Sequence, residues 1–64
     1  MQVNGHTLTD VQIVTLANGK SIFLAKLIGK SGNVRAGFVS GGIEEDGTIA
    51  SALYINGSNQ RRLA

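Results

Sequence analysis

The chain of 64 residues contains no cysteine and only one histidine, His6. Without cysteine, neither a disulfide nor a thiolate metal site can form, and a single imidazole excludes any site that requires two. A Ser/His/Asp triad needs a larger scaffold to hold its geometry. The three adjacent carboxylates at 44–46 lack the alternating spacing of a calcium loop, so they indicate a solvated turn. The sequence therefore predicts no enzyme, no metal and no cofactor.

Long apolar runs are also absent. No stretch approaches the roughly 18 residues of a membrane span, and residues 1–6 lack the basic and apolar segments of a secretory signal. We therefore expect a cytoplasmic protein without a membrane partner. The positive charge is small, because six Lys and Arg against four Asp and Glu give a net charge of +2.

The chain does contain short apolar runs that are separated by turn signals. The most apolar run covers residues 21–29, between Asn18-Gly19 and the turn at 30–33. Such a run between turn residues is typical of a strand, and Asn-Gly between two apolar runs indicates a hairpin. We predict an all-β fold: a small antiparallel meander of four to five short strands, either a rolled sheet or an SH3-like barrel, which it resembles in strand number only.

Residues 9–17 allow an alternative α+β fold. Thr9 and Gln12 resemble a helix capping box, and Gly19 suits the position after a helix. The β-branched residues of this segment favour a strand, because their side chains are stiff in helices. We expect residues 1–57 to form a single domain and residues 58–64, which are polar and basic, to form a flexible C-terminal tail.

Two-residue hairpin loops at Asn18-Gly19 and Ser31-Gly32 predict a strand register. Leu16 would then oppose Ser21, Val14 would oppose Phe23, and Ala25 would oppose Phe38. Since directly opposed residues share a face of the sheet, one face carries no charge and is the predicted core. Its members are Val14, Leu16, Phe23, Ala25, Leu27, Val34, Ala36 and Phe38.

The other predicted face is also mainly apolar, although a sheet face in water is normally polar. Its apolar members are Val11, Ile13, Ile22, Leu24, Ile28 and Val39. A contiguous apolar patch marks an interface, and a chain this short buries only about 60% of its unfolded surface. We therefore predict a homo-oligomer, with a dimer favoured, that uses this set as its interface.

A weak cationic surface is the basis of a second hypothesis. The possible phosphate contacts are Lys20, Lys26, Lys30, Arg35, Arg61 and Arg62. Nucleic-acid-binding domains normally carry a stronger, clustered positive charge, and few aromatic side chains are present for base stacking. The two Gly-Lys-Ser triplets lack the glycine that a phosphate loop requires five positions earlier, where Val14 and Leu24 stand.

The sequence thus favours a non-enzymatic interaction protein that self-associates and binds another macromolecule. Another protein is one possible partner of this kind. The alternative is a small nucleic-acid-binding regulator that uses the weak cationic surface. The charge geometry of the folded chain distinguishes these two hypotheses.

Overall fold

A computed structural model describes residues 1–64 as six antiparallel strands without a helix. The strands are β1 (Gln2–Val3), β2 (His6–Thr15), β3 (Ser21–Leu27), β4 (Phe38–Ile43), β5 (Leu53–Asn56) and β6 (Asn59–Arg62). Each strand pairs with the next along the chain, and the sheet curls into a half-barrel. The predicted all-β meander is confirmed, with six strands instead of four to five. The alternative helix at about 9–17 is wrong, because most of that segment belongs to β2.

No helix in the structure has the length and apolar character that crossing a membrane requires.

Tight turns join the strands, and the first of these is a two-residue loop. Val3 opposes His6 across Asn4-Gly5, and both loop residues have positive φ, 47° and 82°. This conformation is the type I′ hairpin turn that Asn-Gly favours.

Three later turns share a three-residue loop that ends in glycine. The amide of that glycine donates to the carbonyl three positions earlier: Gly19 to Leu16, Gly32 to Gly29 and Gly47 to Glu44. These glycines have φ between 84° and 89°, a region that glycine enters without steric cost. Each loop is therefore a type I turn followed by a left-handed residue.

The longer loop changes the register of the β2–β3 hairpin. Thr15, not Leu16, opposes Ser21, and Ile13, not Val14, opposes Phe23, so the predicted register is wrong by one residue. Because side chains alternate between faces, this shift moves residues 12–15 of β2 to the other side relative to β3. Val14 consequently leaves the predicted core face.

The β3–β4 register also differs from the prediction. Near the turn, Ile28 opposes Val34, whereas further along Ala25 opposes Val39 and not Phe38. The register changes across residues 35–37, where Gly37 has a φ of 92°. Val39 is therefore turned towards the core, and Phe38 is turned away from it.

The core occupies the inner side of the curled sheet. Its nine buried residues are Val3, Leu8, Phe23, Ala25, Leu27, Val39, Ala52, Tyr54 and Leu63. The predicted core positions Phe23, Ala25 and Leu27 are confirmed. The predicted positions that are wrong are Val14, Leu16, Val34 and Phe38, which are 41–51% exposed, together with the exposed Ala36.

The C-terminal segment belongs to the sheet and to the core. Strand β6 pairs with β5, and Leu63 is 5% exposed. The Asn4 side chain donates to the Leu63 carbonyl at 2.8 Å and joins the two ends of the chain. The predicted flexible tail at 58–64 is wrong, because Gly57-Ser58 forms a hairpin turn between Asn56 and Asn59 that returns the chain to the sheet.

Candidate interaction surface

The side of the sheet that points away from the core is rich in apolar residues. Val14 opposes Ile22, Phe38 opposes Ile55, and Ile28 opposes Val34. Opposed residues share a face, and none of these six residues belongs to the buried core. We call the following set the outer face: Val14, Ile22, Leu24, Ile28, Val34, Phe38, Leu53 and Ile55.

Four members of the outer face are substantially open to solvent. Leu24, Phe38, Val14 and Val34 are 36%, 42%, 43% and 51% exposed. They expose an apolar area on the order of 300 Å², which is the size at which the largest patch of a monomer is often functional. The other four members are partly buried and extend the same surface between them.

A shallow groove crosses the outer face beside a bulge in β2. The register shifts between Thr9 and Gln12, so that Asp10 and Val11 together lie opposite the single residue Ala25. The groove has a volume of about 630 Å³. Its lining consists of Asp10, Val11, Gln12, Leu24, Ala25, Lys26 and Phe38. It therefore combines an apolar floor with one charge of each sign.

The two charges of the groove form an exposed ion pair. Lys26 Nζ lies 3.8 Å from Asp10 Oδ2, and the two side chains are 54% and 65% exposed. Such a pair contributes about 0–1 kcal/mol because water screens it. Both groups therefore remain available to a partner at little cost in stability.

The structure separates the six predicted interface residues into different environments. Ile22, Leu24 and Ile28 lie together on the outer face, and Val11 lies beside them in the groove lining. Ile13 faces the inner side, since it opposes Phe23, but it is 58% exposed. Val39 is fully buried in the core. It is the member of the predicted set that no partner can contact.

Sequence reasoning missed five members of the outer face: Val14, Val34, Phe38, Leu53 and Ile55. The first three belong to the predicted core because the prediction uses hairpin loops of two residues. The signal that would have placed Val14 correctly is the glycine at the end of each loop. In a three-residue hairpin, glycine occupies the left-handed third position, as Gly19 and Gly32 do here.

The cations do not form one cluster. Arg61 and Arg62 are consecutive in β6, so their side chains leave opposite faces of the sheet. Lys20 follows the β2–β3 turn, Lys30 lies in the next turn, and Lys26 pairs with Asp10. These five predicted phosphate contacts are therefore divided between two turns and both faces.

Arg35, the remaining cation, lies over a buried aromatic ring. Its guanidinium carbon is 6.0 Å from the centroid of Tyr54, at the outer limit of a cation–π contact. The Tyr54 hydroxyl donates to the Ala36 carbonyl. Tyr54 and Phe23 are both in the core, so Phe38 is the one aromatic residue that is open for contact.

A second, mainly polar groove of about 850 Å³ separates the β2–β3 turn from the acidic turn. Lys20 lines one side and residues 44–46 line the other. Hydrogen bonds from Thr48 to the Asp46 carboxylate lower the pKa of Asp46, and the Thr48 amide lies 2.9 Å from Oδ1. The carboxylate thus stabilises its own turn.

The outer face and its groove are the surface on which exposed apolar side chains are most concentrated. The polar groove and the dispersed cations do not show a comparable concentration of one chemical type. A comparison of the chain with protein-family models, curated proteins and solved structures found no match.

Proposed function

We propose that this chain is a non-enzymatic interaction protein that self-associates through its outer face and binds another macromolecule. The observation that supports the proposal is the exposure of Val14, Leu24, Val34 and Phe38 on one side of the sheet. An antiparallel sheet with one solvated face is normally polar on that face. Contact with a second apolar surface would remove these side chains from water.

The size of the outer face fits an intermolecular contact. A standard interface covers about 800 Å² per partner, which would be about a fifth of the accessible surface of 4427 Å². The exposed apolar area of about 300 Å² per chain, at roughly 25 cal/mol per Å², contributes about 15 kcal/mol for two chains. Association costs about 4–15 kcal/mol or more in lost motional freedom, so the apolar contribution is of the same order as this cost.

Two copies would meet around a two-fold axis, because the same patch then serves both chains. Lys26 and Arg62 lie on the same side of the sheet, opposite Thr9 and Leu53 in register. Their stems can pack at the rim while their charges stay in water. The groove beside the bulge, with Leu24 and Phe38 in its lining, offers an adjoining position for another macromolecule.

A charge within the outer face tests the self-association. Leu24→Glu should lower the molar mass measured by light scattering at micromolar concentration, since a carboxylate would have to be buried in the contact. Ser58→Glu adds the same charge in the exposed β5–β6 turn and should leave the mass unchanged. Circular dichroism establishes that both variants keep the fold. A wild-type mass of 6.7 kDa, the mass of one chain, would refute the proposal.

A further inference from the structure

Strand β2 has a long side that no other strand covers. Strand β1 pairs only with His6 and Thr7, and Met1 extends the contact to Leu8. The remaining residues of β2, up to Thr15, pair with β3 on one side alone. We call residues 11–15 the free edge. An uncovered edge of this kind is a template for pairing with another strand.

The hydrogen-bonding groups of the free edge can be assigned from the neighbouring hairpin. The Leu16 amide donates to the Lys20 carbonyl at 2.7 Å, so Leu16 points its backbone groups at the adjacent strand. Backbone groups alternate in direction along a strand. Ile13 and Thr15 therefore present their N–H and C=O groups to the uncovered side, where the fold itself does not satisfy them.

The side chains of the free edge favour a second copy of this chain as the occupant. Its sequence, Val-Gln-Ile-Val-Thr, is uncharged, so identical strands do not repel each other. Ile13 is the most exposed large apolar residue of the molecule, at 58%. An antiparallel pair of identical strands has two-fold symmetry, so each free donor meets the matching free acceptor of the other copy.

We infer that the free edge of β2 is a second self-association site, at which two copies pair antiparallel with Ile13 opposite Ile13. In this register Val11 of each copy opposes Thr15 of the other. The outward groups of Ile13 and Thr15 are then hydrogen-bonded, and the two exposed Ile13 side chains cover each other. The bulge at Asp10, where φ is 53°, ends the pairing at one side and limits it to residues 11–15.

This edge contact is separate from the outer face. It spans about 17 Å of strand, at roughly 3.4 Å per residue. If both contacts form, a chain that uses two different two-fold interfaces assembles beyond a dimer. The prediction of an assembly larger than a dimer therefore rests on the proposed function, whereas the prediction of the edge contact does not.

Cross-linking tests the register, since the chain has no native cysteine. Ile13→Cys should form a covalent dimer on mild oxidation with diamide, because a hydrogen-bonded pair places the Cα atoms about 5.5 Å apart, within disulfide range. Val11→Cys and Thr15→Cys should each give no covalent dimer when oxidised alone, since equal positions are then about 13 Å apart. An equimolar mixture of these two variants should cross-link. Failure of Ile13→Cys and of the mixture would overturn the inference.

Light scattering with single and double variants separates this inference from the proposed function. Leu24→Glu should retain an edge dimer at high concentration, Ile13→Glu should retain an outer-face dimer, and the double variant should be monomeric. Ser58→Glu again serves as the control. A monomeric Leu24→Glu variant that also fails to cross-link through Ile13→Cys would refute the edge contact and leave the outer-face proposal intact. Loss of association in Ile13→Glu alone would refute the outer-face contact and leave the edge contact intact.

Discussion

Phe23 and Phe38 have the same side chain in opposite environments. Phe23 is fully buried in the core, whereas Phe38 is 42% exposed on the outer face. We expect Phe23→Ala to lower the free energy of unfolding by about 3–5 kcal/mol, because it removes a packed aromatic side chain. Phe38→Ala should cost about 1 kcal/mol or less. Urea denaturation in the Leu24→Glu background measures both changes without a contribution from outer-face association, and equal losses would contradict the burial pattern.

Gly41 and Gly42 are neighbours in β4 with different tolerance for a side chain. A Cβ atom on Gly41 would lie 1.9 Å from the Ser51 carbonyl oxygen, whereas one on Gly42 would meet nothing closer than 3.6 Å. Gly41→Ala should therefore destabilise the fold by about 1–3 kcal/mol or more. Gly42→Ala should change stability by about 0.5 kcal/mol or less. Thermal denaturation compares the pair, and an equal melting temperature for both would contradict the close approach of Ser51.

At the scale of the element, β6 is a structural strand. It pairs with β5 and leads into the buried Leu63. Truncation after Asn59 should abolish cooperative unfolding at 25 °C, because a chain of this size has little stability to lose. Replacing Arg61 and Arg62 by Ser removes the same charges but keeps the strand, and it should leave unfolding cooperative. A cooperative transition in the truncated chain would show that β6 is dispensable.

At the scale of the whole molecule, the dispersed charges predict how association depends on salt. The apolar outer face and the uncharged free edge should give a dissociation constant that changes less than about threefold between 50 and 200 mM salt. A nucleic-acid binder with 6–10 phosphate contacts would lose affinity about 10³–10⁵-fold over this range. Sedimentation equilibrium measures the dissociation constant of self-association, and a gel mobility shift measures the affinity for nucleic acid. Steep salt dependence with nucleic acid would favour the cationic hypothesis instead.

The sequence by itself determined the all-β class, the position of the turns and the presence of apolar residues on both sides of the sheet. These properties follow from local preferences: β-branched runs favour strands, and glycine in Asn4-Gly5, Asn18-Gly19 and Ser31-Gly32 marks three of the chain reversals. The burial of Phe23, Ala25 and Leu27 also followed from their alternation within one strand. None of these inferences requires the exact length of a loop.

Only the tertiary structure decided which residues share a face. Asn18-Gly19 fits either the centre of a two-residue loop or the end of a three-residue loop, since both place glycine at positive φ. In the folded chain this loop has three residues, with Thr15 opposite Ser21, and the one-residue shift moves Val14 to the outer face. The curling of the sheet was likewise decided by a long-range contact, because the Asn4 side chain and the Leu63 carbonyl that it binds lie near opposite edges of the sheet.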